Sequence, residues 1–379
     1  MREACSAEPE SSHIKVIWTP AFAGVTILGI FAISPENNLK RHPMLIHSKA
    51  YPRVGLIGNP SDGYFGKTIS FVFRNFVAEV DLYQSPELEI FGNDKDQSCF
   101  TSIGQLADDV SRFGYYGGIR LLKATVKRFW EYCQRNGIEL DDRNFSIRYH
   151  SDIPHQVGLA GSSAIITACL RALLSFYQVT IPKPVMAELV LKVETEELGI
   201  SAGLQDRVAQ VYEGLVFMDF DRDIMEKSGH GHYSNLDISL LPPVFIAYLE
   251  DAAEGSEVFH NNIRQRFDNG DPIVIEAMKY WAELTVQARD CLVNKHPEKL
   301  GELINLNFDK RRSIYQIGRK NIQMIETARS VGASAKFTGS GGAIVGTYQD
   351  DRMFQELTEK LGPLGIIVFK PEIQPEQDE

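Results

Sequence analysis

The stretch Gly158-Leu159-Ala160-Gly161-Ser162-Ser163-Ala164 sets small residues directly before an apolar run, IITACLRALLSFY. Small residues let backbone N–H groups come close to a ligand. A helix that starts there points its positive end at the same place. Together these features make a cradle for phosphate. The hydroxyls of Ser162 and Ser163 could add oxygen ligands to a phosphate or a magnesium ion. The same residues also suit an ordinary helix start, with Ser162 accepting from unsatisfied N–H groups. The loop lacks GK[ST] and any dinucleotide fingerprint. Further along, ETEELGISAGLQD places Glu194 twelve positions before Asp206. Two carboxylates beside an anion loop can divide the work, one holding Mg2+ and the other polarising or deprotonating an attacking hydroxyl. Solvated surface charge is the plain alternative for both. A third glycine-rich stretch, KFTGSGGA from Lys336 to Ala343, reads by itself as a tight turn between strands.

The elements that must hold these groups follow from periodicity. RVGLIG, TISFVFRNFVAEVDLY, ELEIFG, NFSIRYHSDIP, GLVFMDFD, PPVFIAYLED and IIVFKPEI read as strands, with GNPSDGYFG as a turn. An orderly pattern begins at about Tyr51. GYYGGIRLLKATVKRFWEYCQRNG predicts an amphipathic helix closed by Gly137. Helices are also expected after the phosphate loop, at about Pro184–Glu197, Pro272–Asn294, Glu298–Ile317 and Asn321–Val331, and over RMFQELTEKLG. Strands and helices mix without a regular βαβ count, which favours an α+β fold.

A chain of 379 residues predicts two lobes. A net charge of −11 argues against nucleic acid or an anionic membrane as the main partner, yet leaves room for an anionic small substrate in a local basic pocket. Cys5, Cys99, Cys133, Cys169 and Cys291 are scattered without CxxC spacing, as free thiols of a cytoplasmic protein would be. Val16–Ser34 is apolar but broken by Pro20, and acidic residues precede it, the wrong balance for a secretory leader. Residues 1–43 read as a dispensable extension, with a membrane anchor over 16–34 as the competing reading. His230 and His232 lack a third ligand at metal-site spacing. Tyr115 and Tyr116 fit packing better than sugar stacking.

In order along the chain, RVGLIGNPSD, Pro154 with GLAGSSA, the Glu194–Asp206 pair and KFTGSGGA resemble the signature segments of the GHMP kinases. That family includes galactokinase, homoserine kinase, mevalonate kinase and phosphomevalonate kinase, and the likeness runs from about Tyr51 to the C-terminus. Longer runs are similar to its glucuronokinase branch, among them GNPSDGYFGKTIS, GYYGGIRLL, ELGISAGLQDRVAQVYEGLVFMDF, LDISLLPP and NLNFDKRR. The resemblance implies a two-lobe α+β fold, with lobes over 44–240 and 241–379 and the active site in the cleft between them. It implies ATP, Mg2+ and a sugar acid as ligands, with D-glucuronate converted to D-glucuronate 1-phosphate.

Carried over residue by residue, the resemblance makes Gly158 to Ala164 the phosphate loop. Ser163 or Ser162, with Glu194, becomes the metal site, and Asp206 the base that takes the proton of the anomeric hydroxyl. Arg53 stands near the transferring phosphate and Asp62 binds a sugar hydroxyl. Gly339, Ser340, Gly341 and Gly342 shape the floor of the site. Asn59 and Pro60 replace the Glu and His of galactokinases, which counts against galactose. The resemblance does not name the residue that reads a uronate carboxylate. Such a group calls for a basic partner, and the candidates are Arg120 and Arg207, then Arg311 and Arg312. Another sugar 1-kinase, acting on galacturonate, arabinose, fucose or a heptose phosphate, and a sugar sensor without catalysis are the competing functions.

Overall fold

The first described element is β1 (Leu45–Ala50), ahead of the point where the sequence pattern becomes regular. In the computed structural model, residues 44–92, 117–250 and 263–375 are described. The extension over 1–43, Tyr115, Tyr116, Cys5 and Cys99 lie outside them. β1 escapes sequence reading because His47, Ser48 and Lys49 interrupt its apolar alternation. β2 (Arg53–Ile57) is buried along its whole length, which suits the near-continuous apolar run RVGLI. A 3-10 turn at Ser61–Tyr64 leads to β3 (Lys67–Val72), followed by β4 (Ala78–Ser85) and β5 (Glu89–Phe91). β6 (Asn144–Ser151), β7 (Leu215–Asp219), β8 (His232–Leu236), β9 (Val244–Tyr248), β10 (Lys336–Phe337), β11 (Ala343–Thr347) and β12 (Ile367–Phe369) complete the strands.

Among the described residues they form three sheets, ordered β1-β4-β6-β5, β2-β3-β7-β8 and β10-β11-β9-β12. All pairings are antiparallel except β5 with β6. The segment SGHGHYSN is more than a loop, since β8 pairs with β7 from Leu215↔Leu236 to Asp219↔His232.

The helices are α1 (Gly118–Arg135), α2 (Gly161–Tyr177), α3 (Lys183–Lys192), α4 (Gln205–Tyr212), α5 (Arg222–Ser228), α6 (Pro272–Val293), α7 (Leu300–Ile314), α8 (Arg319–Ser330) and α9 (Asp351–Leu361). Gly137 closes α1 in the left-handed conformation, as expected. α2 packs between β1 and β4 on one side and α1 on the other, so apolar side chains nearly all round it are buried. The helix expected to run to Glu197 ends its α winding at Lys192 and continues as a single π turn over Val193–Glu197. α4 is too short for its apolar stripe to stand out in the sequence.

The first two sheets use strands before residue 240 and the third only strands after it. α6 crosses that division and packs on β2 and β3. The architecture is α+β. No helix among the described residues is long and apolar enough to cross a membrane.

Candidate active site

Arg53, the first residue of β2, joins all three glycine-rich stretches and the second carboxylate. Its Nε donates to Asp206 Oδ1 at 2.6 Å, and its Nη1 donates to Gly158 O at 2.8 Å and Thr338 O at 3.2 Å. The β2 backbone adds to this. Arg53 N donates to Leu159 O at 3.1 Å and Gly55 N to Thr338 O at 2.8 Å. β2 therefore acts as a rail to which the phosphate loop and the third stretch are both hydrogen-bonded.

The loop enters α2 through Ala160, which takes a left-handed conformation, and no side chain caps the helix. The first-turn N–H groups of α2 lack the usual capping acceptor, which fits an anion. Ser162 Oγ donates to Glu194 Oε1 at 2.7 Å. Of the two serines expected at the metal, Ser163 has its hydroxyl buried and donating back to Ala160 O at 3.2 Å. Ser162 is the serine that meets Glu194. The π turn lies between α3 and the loop to α4, and α1 braces it. Arg128 on α1 donates to Glu196 and Glu197 at 2.8 and 2.9 Å, and Lys127 reaches Glu197 at 2.6 Å.

Arg207 is 1% exposed and ion-paired with Glu194 Oε2. Its expected role as a substrate-carboxylate ligand is therefore corrected. A buried guanidinium needs a fixed anion, and Glu194 supplies one. Arg120 is exposed on the first turn of α1, and Arg312 pairs on the surface with Glu326 at 2.9 Å. His230 Nδ1 lies 2.8 Å from Gly231 O, and His232 is exposed at the start of β8.

Asp62 and Asp206 are driven apart in acidity. Burial raises the Asp62 pKa and the Asp206 charge adds to the rise, while hydrogen bonds from Gln205 and Leu204 oppose it. Burial also pushes Asp206 up, but the Arg53 and Arg207 charges and the Arg53 hydrogen bond outweigh it, so its pKa falls below the usual value. Asp206 is the more acidic of the two. Its side chain is 18% exposed, and among the described residues no protein donor reaches Oδ2. Asp62 is turned to the protein: Oδ2 accepts from Leu204 N at 2.8 Å and Gln205 N at 3.2 Å. It caps the start of α4 from a distant turn, because Leu204 has no capping oxygen of its own. That differs from the expected sugar contact. Asn59 is 2% exposed, and its Oδ1 has no partner among the described residues. A buried acceptor without a donor is costly, so this atom suits a ligand hydroxyl.

The third stretch backs the phosphate loop rather than lining a floor alone. A Cβ on Gly339 would lie 2.6 Å from Gly158 O, so only glycine permits this approach. Gly341 O would lie 2.8 Å from a Cβ on Gly158. Gly342 N donates to Asn321 Oδ1 at 3.0 Å, and Ser340 alone of the four is exposed. Arg311 holds the turn by donating to Gly339 O at 2.8 Å and Ser340 O at 2.9 Å.

Lys336 is a residue that sequence reading passes over. It is 1% exposed, and its Nζ donates to Gly55 O and to Phe337 O at 2.7 Å. Burial pushes its pKa well below the ordinary value, and the charges of Arg311 and Arg53 push the same way. Its two carbonyl partners take two of its N–H donors. A folded-state pKa below the unfolded one means the folded chain gives up this proton at lower pH than the unfolded chain, so between those two values folding stability rises with pH. Lys336→Met is expected to remove that rise. Urea unfolding at pH 7 and pH 9.5 checks it: the wild type should gain on the variant at the higher pH, and a constant difference would refute the lowered pKa.

Residues 120–214, from the first turn of α1 to the end of the α4 turn, match the family model for the GHMP kinases N terminal domain. Glucuronokinase 1 of Arabidopsis thaliana is 49% identical over 306 residues, covering 79% of this chain and 84% of that one. The chain belongs to the GHMP kinase family. Probable glucuronokinase 2 of the same plant is 47% identical, covering 78% of this kinase and 82% of its relative. Among solved structures, Lactococcus lactis galactokinase complexed with galactose shares the fold at a TM-score of 0.67 and 16% identity, over 87% of this chain and 93% of that one. Family membership, with glucuronokinases as relatives at 47–49% identity over most of both chains, makes this chain an ATP-dependent sugar kinase.

Proposed function

We propose that this kinase converts ATP and D-glucuronate to ADP and D-glucuronate 1-phosphate. The observation that carries the mechanism is Asp206: ionised, held on one oxygen by Arg53, and open on the other. The C1 hydroxyl donates to Asp206 Oδ2. As its oxygen bonds to the γ-phosphorus and the bond to the β,γ-bridging oxygen breaks, the proton passes to the carboxylate. A carboxylate of lowered pKa is a weak base, so the transfer falls late and the main effect is orientation, as suits phosphoryl transfer. Arg53 fixes Asp206 against the phosphate loop and adds positive charge where the transferred group passes.

The free N–H groups at the start of α2 and the loop Gly158–Ala164 hold the phosphates. Ser162 and Glu194 offer a hydroxyl and a carboxylate oxygen 2.7 Å apart, a donor set that fits Mg2+ with the rest of its shell taken from phosphate and water. When bound, the ion neutralises phosphate charge. Asn59 Oδ1 accepts a sugar hydroxyl. Gly339, Ser340, Gly341 and Gly342 keep the loop in place from behind. On this reading the active site lies in a cleft between the portions 44–240 and 241–379.

The test is ADP release by the full chain with Mg-ATP and D-glucuronate, D-galacturonate, D-glucose, D-galactose or L-arabinose. Selective turnover of D-glucuronate is expected. Turnover of another sugar would keep the chemistry and discard the substrate. Binding of sugar and ATP with no ADP released would favour a sensor.

A further inference from the structure

We propose that Arg264 reads the carboxylate of the sugar acid and sets the preference of this kinase for a uronate. The proposal rests on the uronate reading above. A uronic acid carries its carboxylate on C5, across the ring oxygen from C1, so the cation that reads it belongs on the far side of the sugar from Asp206. A carboxylate in such a site is matched by a planar guanidinium with N–H edges to spare.

The buried arginines near Asp206 are committed elsewhere. Arg53 holds Asp206 itself, Arg207 neutralises Glu194, and Arg311 holds two carbonyls of the third stretch. Arg264 differs. Its Nη2 donates to Gly63 O at 2.5 Å, and its guanidinium lies over the Tyr64 ring at 4.2 Å. These contacts fix the group on the turn that carries Asn59 and Asp62. Asn59 offers the unpartnered Oδ1, and Asp62 caps the helix of Asp206. The charge of Arg264 is felt at Tyr64 and Tyr315, and that of Asp62 at both as well. The Arg264 side chain is nevertheless 46% exposed, and its ion-pair partner is Asp268 at 4.0 Å, the long limit of such a contact. It is an oriented cation with hydrogen-bonding capacity left over.

The experiment compares the full-length wild type with Arg264→Gln, Arg264→Lys and Arg120→Gln, using D-glucuronate and its neutral analogue D-glucuronamide. The amide is measured as a substrate or, where turnover is undetectable, as a competitive inhibitor. Arg264→Gln is expected to raise KM for D-glucuronate about 10- to 100-fold, the usual effect of losing charge-assisted hydrogen bonds. kcat and KM for ATP should stay within about threefold, and affinity for the amide should be unchanged. Arg264→Lys should recover part of the loss. A KM within twofold of wild type, an equal loss on acid and amide, or the loss appearing in Arg120→Gln instead would overturn the assignment. A wild type that phosphorylates neutral sugars and not D-glucuronate would overturn the functional reading and the assignment with it. The two failures are thereby distinct.

Discussion

Asp206→Asn is expected to lower kcat by about a thousandfold while nucleotide still binds. General-base and orienting groups typically contribute roughly 10²–10⁴. The amide oxygen introduced by the substitution would still accept from Arg53, so the surrounding geometry should survive, and only the anion facing the sugar hydroxyl is lost. Single-turnover ADP release, paired with titration of a fluorescent ATP analogue, separates the two effects; near-normal turnover would remove Asp206 from its role. The acidity of the pair supplies a second readout. Because the Arg53 and Arg207 charges hold Asp206 below the ordinary carboxylate value, wild-type activity should lose its acid limb only below that range. In Arg53→Met, burial is less opposed, the Asp206 pKa rises, and the acid limb of the residual activity moves to higher pH. A profile unmoved by Arg53→Met would show that the limb belongs to another group.

Glu194→Gln is the second large expected effect, and it should act on stability and metal use together. The substitution leaves Arg207 charged, 1% exposed and without its anion. Breaking a buried pair from one side typically costs about 3–5 kcal/mol. Urea unfolding should show a loss of that order, and the Mg2+ concentration for half-maximal ADP release should rise at least about tenfold, since second and first partners of a metal commonly matter at that level. The double variant Glu194→Gln with Arg207→Met distinguishes the causes. It should regain most of the stability, because no buried charge remains, yet keep the raised Mg2+ requirement. A double variant that also regains normal metal use would make Glu194 a purely structural residue.

Much of this site could be read from local sequence because its logic is local. Small residues before a buried helix announce a loop that approaches a ligand, and GLAGSSA forms that loop at the start of α2. RVGLI and VFIAY read as strands because burial along their whole length leaves, Arg53 apart, only apolar positions and one glycine. The partners of the arginines were not legible. Whether Arg207 faces substrate or Glu194 depends on how α4 docks against the π turn. Whether Arg264 matters depends on contact with Gly63, 201 positions away in the chain. Nothing around Lys336 in the sequence marks it out, and only the approach of β10 to β2 makes it a buried donor to Gly55 O. Ser162 and Ser163 are chemically alike in the sequence. Helix phase gives one to Glu194 and turns the other back to Ala160.

The π turn at Val193–Glu197 has a consequence for how the two carboxylates are counted. A π turn takes in about one residue more than an α turn, and one residue is worth about 100° of rotation. The chain therefore leaves the turn in a different phase from a helix that ran straight on. The twelve-position interval from Glu194 to Asp206 carries an angle as well as a length. Removing one residue between Val193 and Glu197 would let the turn close as α winding with the exit to α4 in nearly the same phase, because the residue lost is the one the wider turn absorbs. Removing one from α3 would instead rotate everything beyond it by about 100° and carry Arg207 away from Glu194. Removing one from the loop before Leu204 would shorten the path without that rotation. Insertions and deletions of equal size are thus unequal here, and gene segments exchanged at this point join productively only when the widened turn comes whole from one parent.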